Sequence, residues 1–189
     1  MDSHVYCYKV RVVWDAHLTK FPLNKSPLIK CTSKKEVPHM DKAGYGTHKG
    51  FAAAGWPRAL FYLIQFTWGL TINLVGLLVF LCCRLQFPSK RFRNSIVTFL
   101  PGNRGGLSLG IFIFLSVPNA AEISGLCAHE YGHTIQCLYL GPLYWLVVAI
   151  PSVIWCNLFV GYRKKHRVPY DFLYCERWAT AWGKKWSGI

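Results

Sequence analysis

Carboxylates are scarce in this sequence. Its 189 residues include 8 Asp and Glu against 22 Lys and Arg, which gives a formal net charge of +14. Residues 1–50 hold four of the acids, so only Glu122, Glu130, Asp171 and Glu176 remain beyond them. A buried carboxylate without a partner is costly, and each of these four therefore needs a role in so apolar a chain.

Two other features exclude classes of protein. No CxxC pattern occurs among the eight cysteines, and 52% of the residues are hydrophobic, which argues against a disulfide-stapled mini-domain and against a disordered chain. The length fits one domain. The basic clusters contain no nucleic-acid-binding motif and flank apolar runs, so we predict a lipid bilayer as a partner and no nucleic acid.

Residues 1–50 differ from the rest of the chain. They contain nine Lys and Arg with no sustained period of 2 or 3.6 residues. We predict a basic N-terminal tail that is either disordered or the product of a start codon assigned too far upstream. Residues 51–189 are predicted to form a membrane-embedded domain.

Two long apolar runs predict helices that cross a membrane. Residues 59–83 are 25 residues without a charge, or roughly 37 Å of helix against about 30 Å of hydrocarbon. Residues 142–161 are also uncharged and contain Pro151, where we expect a kink. The basic segments 84–106 and 163–167 follow the two runs and are predicted to face the cytoplasm. The predicted location is therefore the cell (inner) membrane, with a multi-pass topology.

Between the two runs the sequence predicts a strand and a helix. Residues 107–117 are rich in β-branched and aromatic residues and too short to span, which predicts a strand. Asn119 followed by Glu122 predicts a helix start, and Gly141 predicts its end after Leu140. The predicted fold is mainly α and multi-pass, with about three membrane-embedded helical segments, a short strand before the 119–140 helix and a C-terminal helix over 170–182.

The 119–140 helix contains the pattern H-E-x-x-H at His129, Glu130 and His133. Residues four apart lie on one helix face, so both imidazoles can bind one metal ion. Zinc accepts neutral nitrogen donors in tetrahedral geometry, and the adjacent glutamate is placed to act as general base. The alternative is a pair of hydrogen-bonding core histidines with Glu130 as their ion-pair partner.

A catalytic zinc site usually has a third protein ligand. His166 lies among basic residues, which leaves Asp171 and Glu176 as candidates. We favour Glu176 because the small Ala179 would allow its helix to pack closely. The alternative for Glu176 is an exposed carboxylate paired with Arg177 or Lys184.

The H-E-x-x-H helix, followed by Glu176-x-x-Ala179, resembles the gluzincin metallopeptidases. This resemblance implies Glu176 as the third ligand and a strand before the metal helix whose edge pairs with an extended substrate. The integral-membrane members carry an aspartate where this chain has Thr180. Residues 100–183, including HEYGHTIQ and Leu140–Tyr144, also resemble small, functionally uncharacterised bacterial membrane proteins.

The sequence thus predicts a membrane-embedded zinc metallopeptidase that hydrolyses peptide bonds near the cytoplasmic face, with a protein or peptide substrate. The metal ligands are His129, His133 and Glu176, the cofactor is Zn²⁺, and Glu130 is the catalytic base. Tyr170 and Tyr174 are candidate donors to an oxyanion, with membrane-surface anchoring as the alternative. The other class left open is a non-catalytic membrane scaffold or binding protein with a structural or degenerate metal site.

Overall fold

The computed structural model describes residues 57–117 and 119–189. The predicted N-terminal tail at 1–50 lies outside the described residues. Within them the chain forms six α-helices and four strands, which are numbered below in chain order.

The first apolar run forms two helices where one was predicted. Helix α1 spans Arg58–Thr67 and helix α2 spans Leu70–Arg84, with an angle of 94° between them. The break is held by Asn73, whose side-chain amide donates to the backbone carbonyls of Gln65 and Gly69. The bend interrupts the regular backbone hydrogen bonds of the helix, and Asn73 replaces them at these two carbonyls. Buried carbonyl groups need such a partner.

The segment predicted to be a cytoplasmic loop is part of a sheet. Strands β1 (Ser89–Phe92) and β2 (Ser95–Phe99) pair antiparallel across a two-residue turn in which Arg93 has a φ of 53°. The predicted single strand at 107–117 is in fact a hairpin of β3 (Gly105–Leu109) and β4 (Phe112–Ser116).

The strand order in the sheet is β1-β2-β4-β3, with a parallel pairing only between β2 and β4. Every residue of β4 is buried, which makes this strand the centre of the main core. In this strand order, β3 is one of the two edge strands of the sheet.

Helix α3 spans Ala120–Leu140, and its predicted start and end are confirmed. The Asn119 side chain accepts a hydrogen bond from the backbone N–H of Ala121 and donates one to Glu122. Gly141 follows the last residue with a φ of 51°, a conformation that favours glycine and ends the helix. The pattern H-E-x-x-H therefore lies at the middle of a capped helix.

The second apolar run is also interrupted. The 66° bend lies between Asn157 and Val160, beyond Pro151, where the kink was predicted. Close to Pro151 the helix is irregular, since a π-helical turn ends at Ala149, two residues before the proline. The elements are a 3₁₀ turn Gly141–Leu143, the π turn Trp145–Ala149, α4 (Ile150–Asn157) and α5 (Val160–His166).

The predicted fold class is therefore wrong. No single helix in residues 57–117 and 119–189 is long and apolar enough to cross a membrane, although each of the two bent pairs has the length and composition when taken together. The multi-pass fold with three membrane-embedded helices is replaced by a four-stranded mixed sheet packed with helices.

A C-terminal helix is present, as predicted, but it begins later. Helix α6 spans Tyr174–Ser187, after a 3₁₀ turn at Tyr170–Phe172. It packs closely on α3, because a Cβ added at Gly132 would lie 2.6 Å from the carbonyl carbon of Ala179. This close approach brings Glu176 against the H-E-x-x-H face.

Candidate metal centre

Three side chains from two helices converge at the contact between α3 and α6. His129 and His133 lie on one face of α3, and Glu176 lies in the first turn of α6. Glu176 Oε2 is 3.1 Å from His129 Nε2 and 3.3 Å from His133 Nε2. One donor atom from each residue lies within 4.8 Å of the other two, so this group could hold a metal ion.

Thr180 fixes the tautomer of His129. Its hydroxyl donates to the backbone carbonyl of Glu176 at 3.1 Å, which uses its only hydrogen. The same oxygen lies 3.0 Å from His129 Nδ1 and can accept a hydrogen from that nitrogen. In that tautomer neutral His129 has its lone pair on Nε2, directed at Glu176.

Gln136 fixes the tautomer of His133 in the same way. The Gln136 amide nitrogen donates to the Cys175 carbonyl at 2.8 Å, which sets the orientation of the amide. Its Oε1, 2.8 Å from His133 Nδ1, is then an acceptor for the Nδ1 hydrogen. His133 Nε2 is left as an acceptor atom inside the cluster.

Ser152 orients the carboxylate. Its hydroxyl donates to Glu176 Oε1 in a short hydrogen bond, so that Oε2 is the oxygen that faces both imidazoles. Ser152 belongs to α4, and this contact ties a third helix to the centre. Each of the three residues thus has a partner that directs one specific atom inward.

The resulting arrangement fits a cation. Two imidazole lone pairs and a carboxylate oxygen face one another, and three acceptor atoms this close repel without a positive charge between them. His133 Nε2 is buried and makes no hydrogen bond to any part of the chain that the structure describes. The three partners are arranged as in the outer shell of metal sites, where the second ring nitrogen of a ligand histidine donates a hydrogen bond that orients the ring.

Glu130, the predicted base, lies between α3 and the edge strand β3. Its side chain is buried, and a Cβ added at Gly106 would lie 2.7 Å from the Glu130 carboxyl carbon. Only a glycine at this position of β3 leaves room for the carboxylate. Glu130 thus lies where the edge strand β3 meets α3.

The remaining acidic and histidine candidates lie away from the centre. Asp171 and His166 are exposed, and Glu122 is occupied at the start of α3. The choice of Glu176 over Asp171 therefore agrees with the geometry, and the predicted exposed ion pair for Glu176 does not, because this residue is fully buried.

The two predicted tyrosines differ in position. The ring of Tyr170 is 6.3 Å from that of His129, so this residue borders the centre. The Tyr174 hydroxyl instead donates to the Val147 carbonyl and is directed elsewhere. Burial raises the pKa of Cys137, which is near the end of α3, to about 12, so its thiol is neutral.

Sequence reasoning missed the residues that orient the ligands. Gln136 is three residues after His133, and Thr180 is four residues after Glu176, so helical spacing alone could have assigned both to the site. Ser152 and Gly106 come from other elements and had no such local signal.

Comparison with protein-family models, curated proteins and solved structures found no match for this chain.

Proposed function

We propose that this chain is a zinc-dependent metallopeptidase. The single observation that carries the proposal is the convergence of His129 Nε2, His133 Nε2 and Glu176 Oε2, with the tautomers and the carboxylate oriented by neighbouring side chains. The gluzincin resemblance of the sequence supports the same reading.

The donor set favours zinc among the divalent metals. Two neutral nitrogens and one carboxylate oxygen match the three-ligand sites of zinc hydrolases, which leave a fourth position for water or substrate. When bound, zinc supplies Lewis acidity that polarises a carbonyl group and lowers the pKa of water. His129, His133 and Glu176 would hold the ion.

Glu130 is the proposed general base. It follows His129 directly in the sequence and is buried beside β3. In the proposed reaction its carboxylate takes a proton from the attacking water and then transfers it to the nitrogen of the departing amine. Gly106 keeps this carboxylate on the side of α3 that faces the sheet.

The position of β3 supports a peptide as the substrate. Among the described strands β3 pairs only with β4, and its first two residues are Gly105 and Gly106. An extended peptide can add to such an edge through main-chain hydrogen bonds. The scissile bond would then lie above Glu130, without side chains from these two glycines in the way.

One observation favours a second candidate, a non-catalytic protein with a structural metal. The side chains of His129, His133 and Glu176 are only 12%, 3% and 0% exposed. A closed site of this kind stabilises a fold without turning over a substrate.

The two functions are separated by Glu130→Gln, with Glu122→Gln as the matched control at an exposed carboxylate of the same helix. A metallopeptidase keeps about one zinc per chain in both variants and loses cleavage of a quenched fluorescent peptide library only in Glu130→Gln. Cleavage retained by Glu130→Gln would contradict the proposed mechanism. A His129→Ala/His133→Ala variant that binds as much zinc as wild type would contradict the proposed metal site.

A further inference from the structure

Two helical stripes of the surface are apolar. On α2, the side chains of Leu70, Leu74 and Leu78 follow one another at intervals of four residues and are 41%, 47% and 65% exposed. The second stripe runs from the π turn into α4, where Leu146, Ile150 and Ile154 are 67%, 46% and 40% exposed. We call these six residues the apolar face.

The elements that carry the two stripes touch at one end. The indole N–H of Trp145, in the π turn, donates to the hydroxyl of Thr71, in α2, at 3.0 Å. Thr71 directly follows Leu70, and Trp145 directly precedes Leu146, so the contact lies next to the first residue of each stripe. Exposed apolar side chains grouped in this way mark an interaction site.

The buried side of the two bent helix pairs carries polar as well as apolar residues. Gln65 and Asn73 are fully buried and hydrogen-bond to each other, while Ser152 of α4 is buried against Glu176. The exposed side carries leucine and isoleucine. A helix that faces water usually has polar side chains on its exposed side, so leucine and isoleucine there fit surroundings less polar than water.

Exposed polar side chains near the apolar face make their hydrogen bonds within the protein. Thr67 donates to the Leu63 carbonyl at 2.7 Å, and Asn157 donates to the Val153 carbonyl at 2.8 Å. Thr71 accepts from Trp145. Groups that face hydrocarbon must be satisfied in this way, whereas groups that face water or a polar protein partner need not be.

Basic side chains follow both stripes. Arg84 ends α2, and Lys164, Lys165 and Arg167, all exposed, follow the second stripe at the end of α5.

From this combination we infer that the apolar face contacts the acyl chains of a lipid bilayer, with these four cations at its anionic headgroups. A second copy of this chain fits the apolar face less well than lipid does. A symmetric dimer through this face would bring the basic residues of the two copies near one another.

The inferred contact does not depend on zinc or on catalysis. It requires that the apolar face enters one side of a bilayer, as in proteins that lie in the interface, and it requires no helix that crosses. The sequence already predicted a lipid bilayer as a partner, and the structure now names the residues that would meet it.

Flotation of the purified full chain with vesicles tests the inference. We expect the wild-type chain to float with phosphatidylcholine vesicles that contain a quarter phosphatidylglycerol, and less of it to float with phosphatidylcholine alone. Replacing the most exposed residue of each stripe, in Leu78→Glu/Leu146→Glu, should lower the bound fraction roughly tenfold or more, because a carboxylate in hydrocarbon is costly. Phe172→Glu, at a 62% exposed position outside the face, should float like wild type.

Two further measurements keep this test decisive. The milder Leu78→Gln/Leu146→Gln variant should give an intermediate bound fraction, and circular dichroism should show that each variant is folded. Wild-type chain that does not float with the anionic vesicles, or a double glutamate variant that floats as well as wild type, would overturn the inference. The inference would also be overturned if the wild-type chain were a dimer without vesicles, and the double glutamate variant were a monomer that still floated like wild type. The apolar face would then be the contact with a second copy. Loss of zinc binding without loss of flotation would reject the proposed function alone.

Discussion

Gln136 Oε1 lies 2.8 Å from His133 Nδ1, while the amide nitrogen of the same side chain donates to the backbone carbonyl of Cys175. One glutamine therefore connects a candidate ligand on α3 to the helix that carries Glu176. The orientation of His133 and the packing of α6 on α3 therefore both depend on this amide.

Gln136→Leu should weaken zinc binding by roughly 10- to 100-fold, because His133 loses the acceptor that fixes its tautomer. Competition with a fluorescent zinc chelator gives the affinity. Gln86→Leu is the matched control, since Gln86 is exposed beyond the end of α2. Equal zinc affinities for these two variants would argue against an orienting role for Gln136.

Thr180→Val should weaken zinc binding by about tenfold, while Thr180→Ser should bind like wild type. Valine has a similar shape but cannot accept the hydrogen of His129 Nδ1, whereas serine keeps the hydroxyl. The same chelator competition compares the three proteins. If the serine variant fails to recover the affinity lost in the valine variant, then the methyl group and not the hydroxyl is the part that matters.

Gly106→Ala should lower kcat/KM for peptide cleavage by about 100-fold with little change in bound zinc. The added methyl group would lie 2.7 Å from the carboxyl carbon of Glu130 and displace the base, and a shift of about 1 Å costs a reaction this much. Gly161→Ala is the control, because a Cβ there meets no atom within 4 Å. Unchanged kcat/KM in the Gly106 variant would show that Glu130 tolerates the methyl group.

Gly132→Ala should lower the free energy of unfolding by roughly 1–3 kcal/mol, since its methyl group would press on the backbone of Ala179 and separate α3 from α6. Gly125→Ala, in the same helix, meets no atom within 4 Å and should raise stability by up to about 1 kcal/mol. Thermal unfolding followed by circular dichroism measures both changes. A Gly132 variant as stable as wild type would mean that the two helices can part at no cost.

Helix α3 was predictable because its signals are local. Asn119, the apolar periodicity and Gly141 lie within or next to the segment they define, and the structure agrees with all three. The break after Thr67 was not predictable from the apolar run. It depends on Asn73 contacting carbonyls of Gln65 and Gly69, and a polar residue in a long apolar run does not reveal which carbonyl it will meet.

The sheet shows a different limit. Strand β1 has the sequence Ser-Lys-Arg-Phe, and its basic residues were attributed to a cytoplasmic loop. Only the pairing with β2 makes it a strand, and this pairing depends on residues outside the segment. The hairpin of β3 and β4 was taken for one strand because the turn at Gly110 lies inside an apolar run, where a φ of 66° is not apparent from the sequence.

The candidate ligands were found because the helical period brings His129 and His133 to one face, and because buried carboxylates are rare in this chain. The partner of Glu176 on α4 could not be predicted. Ser152 reaches Glu176 only through the packing of α4, whose path was expected to be a spanning helix. Long-range contacts of this kind decide which oxygen of Glu176 faces the histidines.

The distance along the chain between the two halves of the centre affects its biosynthesis. His129 and Glu176 are 47 residues apart, and Thr180 and the Cys175 carbonyl also belong to α6. During translation the two histidines are therefore made before Glu176, Thr180 and the Cys175 carbonyl. A nascent chain at that stage offers a metal two imidazoles at most, so high-affinity capture must wait until α6 has emerged and docked.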